Sequence, residues 1–580
     1  MMRIYQLEIE NFRGIQCGKF NFTTPLVCLI GHGDTTKSTI LDAIEYALSP
    51  NWFIPIDDSD FTNCDSSKNI EITATVGPVP DEFMSDSKYG QYLRKWNIAE
   101  EKLFDDDLEE FKKDDNTVYV LSIKNIIDAT LTPEWFVITD AHPEGVHISY
   151  KDRKKIGVSR IGENIDNELA WTRGSSLLRL SQDKNEMEKI LLDANRKLRD
   201  AFSPDDFNAL ADSIDMAKTS GQRYGIKTDD FRANIDPRIL KGSSSTLSLH
   251  DNKIPFRRMG IGTRRLMAIG LQLKCIEEKG GILLIDEIEH ALEPHRLKYL
   301  LRILSQNTEK QCYGQIFMTT QSPVTLEELG ADVLYCVHYK STEKKSEIKK
   351  VDKNIQGTVR RTPEAFLSPK VIVCEGPTEI GLLRAYEKSL IEKFGDKHSF
   401  AYNKTAIING EGTSASRRAC DLTQNGYGVC LFVDSDRIAE WKVAESQLTK
   451  EGVSIVRWEN TNNTEMQLFS DLPKDKIEGV IEIALKENND LDINSILDSI
   501  NSKLEIKLST LNGIALYAEE YLAFLRKAIA DSAKNKSWFK NIAVGEALGD
   551  YLFGEILDEI ETTVFYNTFE KIKAWAINGQ

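Results

Sequence analysis

The sequence predicts an α/β protein with two successive α/β units, and three observations carry that reading. An apolar run, Pro25 to Ile30, enters a glycine loop and then a helix-spaced segment. A second, Gly281 to Ile285, ends in Asp286 and Glu287. A third, Lys370 to Cys374, ends in Glu375 and turns into another helix-spaced segment. Apolar strands alternating with helices build parallel sheets covered by helices. The 580 residues are 41% hydrophobic and 28% charged, which excludes wholesale disorder and suffices for roughly three or four domains. Against 90 Asp and Glu stand 73 Lys and Arg, a net charge of −17. That excludes a strongly basic nucleic-acid coat protein, though not a local basic groove.

The nine cysteines show no CxxC spacing, and several sit in apolar runs such as LVCLI. Buried thiols in a reducing compartment explain them better than disulfides or a zinc knot. The opening MMRIYQLEIENFRG lacks an apolar stretch of signal length, and no window approaches the roughly 18 apolar residues of a membrane span. A cytoplasmic protein without a membrane partner is the expectation.

In chain order, alternating Ile4, Leu7 and Ile9 predict a strand with a turn at Phe12 to Gly14. Lys37 to Leu48 carries apolar residues at 40, 41, 44, 47 and 48, the spacing of a helix buried on one face. Short strands are expected over 70–76, 117–123, 135–139 and 145–150, with a charged helical face near 100–115. Residues 166–235 read as inserted helices, on Leu177, Leu178, Ile190, Leu191, Leu198, Phe202, Phe207, Leu210 and Ile214. A strand over 316–318, a helix from Pro323 and a strand over 331–337 follow, and the Lys-rich 340–353 makes a natural boundary. Strands over 405–408 and 428–433 continue the second unit, and helices over 477–485, 493–504 and 515–530 follow it.

The loop Gly31-His-Gly33-Asp-Thr-Thr36-Lys37-Ser38-Thr39 lies between a predicted strand and a predicted helix. Successive backbone N–H groups and a helix N-terminus there suit phosphate, with Lys37 reaching the β and γ phosphates and Ser38 offering a hydroxyl to magnesium. Thr36 stands where such a loop wants a permissive glycine. Asp286 then holds the magnesium ion and Glu287 polarises the attacking water. Between them lies Arg257-Arg-Met-Gly260-Ile-Gly262-Thr-Arg264-Arg265, which either binds phosphate from a second subunit or caps a helix as a basic turn.

In the second unit, Glu375 of Glu375-Gly-Pro-Thr-Glu379 lies at a strand end with Glu379 about one helical turn along, and Gly410 and then Asp434-Ser-Asp436 follow at the ends of further strands. Parallel strand ends converge in one crevice, so four carboxylates can meet. Unpaired they would repel and raise one another's pKa, a conflict that Mg2+ or Mn2+ resolves.

Glu10-Asn-Phe-Arg13, the loop over 31–39, the 260–265 segment, Ile285-Asp-Glu287 with Glu289-His-Ala-Leu-Glu293, and Thr319-Thr-Gln321-Ser-Pro323 resemble the ATP-binding-cassette (ABC) ATPases of the recombination and SMC type. The resemblance implies ATP bound in a head-to-head dimer, with Gly260, Gly262 and Arg264 supplied across the interface. Relatives carry histidine where this chain has Gln321, and glutamine cannot titrate near neutrality, so slow hydrolysis is expected. The acid set resembles the topoisomerase-primase (toprim) domain. Glu465 then looks like the later acid of its nuclease branch and Lys540 like its motif lysine; a surface acid and an ordinary lysine are the alternatives.

The whole arrangement resembles the OLD (overcoming lysogenisation defect) nucleases. It implies an ABC-type P-loop ATPase over 1–165 and 241–365, a helical dimerisation insertion over 166–240, a toprim nuclease domain over 366–475 and a helical C-terminal part over 476–580. It also implies Mg2+- or Mn2+-dependent cleavage of double-stranded DNA gated by ATP, with Glu375, Glu379, Asp434, Asp436 and Glu465 as metal ligands. Homodimers or higher oligomers and a role in antiphage defence are implied as well. Some relatives work beside a reverse transcriptase with its structured RNA or another defence partner. The competing expectation is an SMC-like ATPase that binds or tethers DNA without nuclease turnover.

Overall fold

The computed structural model describes residues 2–51, 54–105, 116–162, 165–172, 175–181, 208–227, 231–235, 247–309, 314–436 and 438–578. It divides into two compact units, Met1–Gln356 and Gly357–Gln580.

The first unit is organised by a 14-stranded sheet. Its strands include β1 (Arg3–Phe12), β2 (Ile15–Asn21), β3 (Leu26–Ile30), β4 (Ile70–Gly77), β5 (Thr117–Ile127), β6 (Val158–Ile161), β7 (Ile282–Ile285), β8 (Gln315–Thr319), β9 (Leu334–Lys340) and β10 (Lys345–Lys350). The order runs β6-β7-β8-β3-β9-β10-β2-β1-β4-β5, and the first five strands are mutually parallel. Strands buried on both faces read as continuous apolar runs, which is why LVCLI and ILLI are fully buried. Helix α1 (Lys37–Leu48) covers this half, burying Ile40, Leu41, Ile44, Ala47 and Leu48 with Val27, Leu29, Leu284 and Phe317. Each large side chain so buried contributes about 1.5–3 kcal/mol. Helix α2 (Ile261–Lys279) follows the arginine segment and leads through Gly280 into β7.

Several elements depart from expectation. The charged 100–115 region does not begin as a helix: Lys102–Asp105 is a strand paired antiparallel with Arg94–Asn97, and 106–115 lie outside the described residues. Only Val146–His147 is extended in the 145–150 segment, because the Ser149 hydroxyl accepts from Asp152 N and caps a helix over Tyr150–Ile156. In the predicted helical insertion, Ser176–Leu180 and Ala211–Arg223 are helical, but Phe231–Ile235 is a strand paired with Leu247–Asp251. Ile190, Leu191, Leu198, Phe202 and Phe207 lie outside the described residues. The strand expected over 331–337 opens as a 3-10 turn, Ala331–Val333, before β9. The Lys-rich 340–353 is not a bare boundary: β10 folds back on β9 and brings Ser346 under Thr36.

The second unit holds a four-stranded, all-parallel sheet. Its strands are β11 (Lys370–Cys374), β12 (Thr405–Asn409), β13 (Gly428–Val433) and β14 (Ser454–Arg457), in the order β12-β11-β13-β14. Helices α3 (Pro377–Phe394), α4 (Thr464–Asp471), α5 (Leu522–Asn535) and α6 (Ile542–Asp550) pack with it around Ile372, Phe432, Trp458, Phe469, Trp538 and Phe539. The helix expected over 515–530 is interrupted. Tyr517 is extended, with its hydroxyl donating to the Ile506 carbonyl, so the chain stops after Gly513–Leu516 and restarts as α5.

Candidate functional site

In the first unit the loop after β3 and the ends of β7 and β8 meet because three parallel strands point the same way. Lys37 is buried, and its Nζ donates to the Gly31 carbonyl at 2.9 Å, the His32 carbonyl at 2.6 Å and Thr35 Oγ1 at 3.0 Å. Burial lowers its pKa to about 8, partly offset by Asp286, Asp34, Glu289 and Glu287. Gly31 has φ 144° and a Cβ there would stand 2.7 Å from the Val337 carbonyl, so only glycine fits. Gly33 is exposed with open space around it. Thr36 holds φ 65° and ψ 15°, a left-handed conformation costly for a β-branched residue, and its hydroxyl lies 2.6 Å from Ser346 Oγ.

Ser38 Oγ donates to Asp286 Oδ1 at 3.0 Å, and Thr319 Oγ1 donates to the same oxygen at 2.6 Å. Thr39 follows in the first turn of α1. A hydroxyl and a carboxylate so placed fit a hard divalent cation, the chemistry of Mg-nucleotide. Glu287 sits in a turn with φ 47°; its N–H donates to Thr319 Oγ1 at 2.7 Å, and Gln321 Nε2 approaches its carboxylate at 3.4 Å. Arg265 grips this turn from α2, donating to the carbonyls of Asp286 and, at 2.8 Å, Glu287. Gly260 caps α2 and is exposed, Gly262 packs where a Cβ would lie 2.4 Å from the Ala291 carbonyl, and Arg264 pairs with Asp166 at 2.5 Å. Gly262 is therefore required by packing within its own chain. Sequence reasoning missed Arg160, whose Nη2 donates to Asp286 Oδ2 at 3.1 Å, and Thr319 as the hydroxyl that anchors Asp286.

In the second unit the acids do gather at the ends of β11 and β13. Glu375 follows β11 and its carboxylate accepts the N–H of Asp434, just past β13, at 2.8 Å. Glu379 reaches back to the Gly376 N–H at 2.9 Å and accepts from Thr464 Oγ1 at 2.6 Å. Asp434 Oδ1 accepts the N–H of Thr464 at 2.9 Å and lies 3.0 Å from its hydroxyl. Asp436 is ion-paired with Lys534 of α5. Glu465 is buried at 5% exposure in the first turn of α4, beneath Asn463, which caps that helix.

Burial, then Glu379, Glu375, Glu465 and Asp436, push Asp434 well above the usual carboxylate range. Burial pushes Glu465 up to about 7, against the pull of Lys540 and Lys534. Gly410 belongs to the same edge: its N–H donates to the Cys374 carbonyl and a Cβ there would stand 2.3 Å from that of Ala415. Lys540 is exposed and follows Trp538 and Phe539, which are buried, while the Phe539 carbonyl accepts from Thr378 Oγ1 at 2.9 Å. The donor set is chemically right for Mg2+ or Mn2+, and Glu375, Glu379, Asp434 and Asp436 each accept from a protein donor. Among the described residues no three His, Cys, Asp or Glu are grouped to hold a metal ion. The sequence missed Thr464 and Lys534, which are among those donors.

Fold and loop geometry together define the class: an α/β protein whose first unit resembles P-loop ATPase domains. The chain belongs to the family described as "AAA domain, putative AbiEii toxin, Type IV TA system", which matches residues 26–327, just over half of it. It is also similar to a protein named OLD nuclease from Thermus scotoductus, 23% identical over 342 residues, spanning 55% of this chain and 59% of that relative. Among solved structures, the Smc head domain of Pyrococcus furiosus, bound to the C-terminal domain of ScpA, is 11% identical, with a TM-score of 0.38 over 63% of this chain and 100% of that one. The SMC head domain from Thermotoga maritima is 12% identical, with a TM-score of 0.30 over 60% and 99%. No described helix is long and apolar enough to cross a membrane.

Proposed function

We propose that this chain is an ATP-binding, nucleic-acid-associated ATPase of the SMC-like kind, in which nucleotide binding controls the hold on double-stranded DNA. The observation that supports it best is the junction of Ser38, Asp286, Thr319 and Glu287, joined to one another by hydrogen bonds, with Lys37 buried in the loop that precedes Ser38. When bound, the magnesium ion supplies charge neutralisation of the phosphates. Ser38 and Asp286 would hold it, Lys37 would exchange its loop carbonyls for phosphate oxygens, and Glu287 would orient water. Gln321 beside Glu287 donates a hydrogen bond but carries no titrating proton, which favours slow turnover. The exposed Gly260 at the start of α2 suits a homodimer in which that end faces the partner's nucleotide. Retention of plasmid DNA should rise with ATP and equally with a non-hydrolysable analogue; retention indifferent to both refutes the proposal.

A second reading, a Mg2+- or Mn2+-dependent endonuclease, is favoured by one specific observation. Asp434 and Glu465 are held at an energetic cost that a cation would relieve. The OLD nuclease relative points the same way, and an antiphage role beside a reverse transcriptase or other partner belongs to this reading. It stands second because, among the described residues, no three His, Cys, Asp or Glu are grouped to hold a metal ion. Nicking of plasmid in Mn2+ that disappears in a folded Asp434→Ala variant would promote it to first; nicking that persists would remove the carboxylates from the chemistry.

A further inference from the structure

Arg160 is a cation that the nucleotide chemistry above does not use. It lies on β6, next to β7 in parallel register, opposite Leu284. Its Nη2 donates to Asp286 Oδ2 at 3.1 Å, the oxygen that remains when Ser38 and Thr319 have taken Oδ1. Its Nη1 donates to Asp42 and, at 3.1 Å, to Glu45, both on α1. Asp42 also accepts from Arg13, whose Nε holds Asp60 at 2.7 Å. The result is an alternating ion chain, Asp60, Arg13, Asp42, Arg160 and Asp286, that ends on the acid assigned to the magnesium ion. Side-chain exposures of 19% for Arg160, 14% for Asp42 and 23% for Asp286 place it largely out of solvent, where ion pairs are screened less than on a surface.

A guanidinium and a divalent cation seek the same carboxylate oxygens. We propose that Arg160 is a positioning residue that competes with the magnesium ion for Asp286. A magnesium ion held by Ser38 and Asp286 would draw on the carboxylate charge that Arg160 now pairs, and Arg160 would keep Asp42 and Glu45, to which its other nitrogen is already bonded. The magnesium requirement for nucleotide binding is thereby set higher than Ser38 and Asp286 alone would set it. This rests on the nucleotide reading of the P-loop.

The test is Mg2+ titration of the binding of a fluorescent ATP derivative to the full chain, with binding in EDTA measured in parallel. Arg160→Gln should reach half-maximal Mg2+-dependent binding at about fivefold lower Mg2+, while binding in EDTA changes by less than about twofold, as for loss of one partly screened ion pair. Asp42→Asn removes the charge of one of the two acids that hold the other nitrogen of Arg160 and should shift the requirement the other way, to higher Mg2+. If Arg160→Gln fails to fold by thermal melting, Asp42→Asn carries the test. A folded Arg160→Gln with an unchanged or higher Mg2+ requirement overturns the proposal, as does a lower requirement in Asp42→Asn. Wild-type protein that binds no nucleotide with Mg2+ present refutes the nucleotide reading itself, and the Arg160 proposal with it.

Discussion

Glu465 carries the most informative single charge in the second unit. An exposed glutamate titrates near ~4.3, whereas burial beside Glu379 pushes this one up to about 7. The native state therefore keeps a proton that the unfolded chain has lost, and stability falls as pH rises from roughly 4.5 to 7, then stays lower. Glu465→Gln removes that penalty. It should stabilise the protein by up to about 3 kcal/mol at pH 8, and by little near pH 4, in paired urea titrations. Equal stabilisation at both pH values would mean that packing, not ionisation, is responsible. At this scale the sequence was informative wherever chemistry follows chain order. Gly31 to Ser38, Asp286 and Glu287, and the acids at 375, 434 and 436 stand out because a strand end delivers them, and Glu379 because it follows one helical turn after Glu375. Arg160, Thr464 and Lys534 did not stand out, since an isolated arginine, threonine or lysine means nothing until the fold sets an acid beside it. Thr36 was legible as an odd residue in a glycine position, but its bond to Ser346 needed the hairpin that β10 makes.

Among elements, α3 and α6 fix where Glu379 stands. They approach so closely that a Cβ on Gly381 would lie 2.4 Å from the Ile542 carbonyl and 2.7 Å from Glu546 N. Alanine normally gains about 1 kcal/mol over glycine in a helix, but a clash with backbone cannot be relieved by a rotamer change. Gly381→Ala should therefore destabilise by about 2 kcal/mol despite its better helix propensity, measured as a lowered urea midpoint with unchanged slope. A neutral or stabilising result would mean the helices can separate at no cost. Long, strongly patterned elements such as α1 and β13 were legible almost to the residue. The failures have local causes. Ser149 starts a helix where a strand was expected, Tyr517 stops one, and 102–105 extends because Arg94–Asn97 offers it a partner. None of those is a periodicity, so none leaves a trace in the spacing of apolar residues.

For the whole molecule, the central claim is that nucleotide binding, and not turnover, sets the hold on DNA. It rests on the separable roles proposed above, binding for Lys37 and the attack of water for Glu287, with a neutral Gln321 beside it. Parallel assays of ATP turnover and plasmid DNA retention on wild type, Lys37→Ala and Glu287→Gln test this directly. Lys37→Ala should lose both, and Glu287→Gln should lose turnover by at least about tenfold while holding DNA as tightly as wild type or more so. DNA retention that falls in proportion to turnover in Glu287→Gln would contradict it.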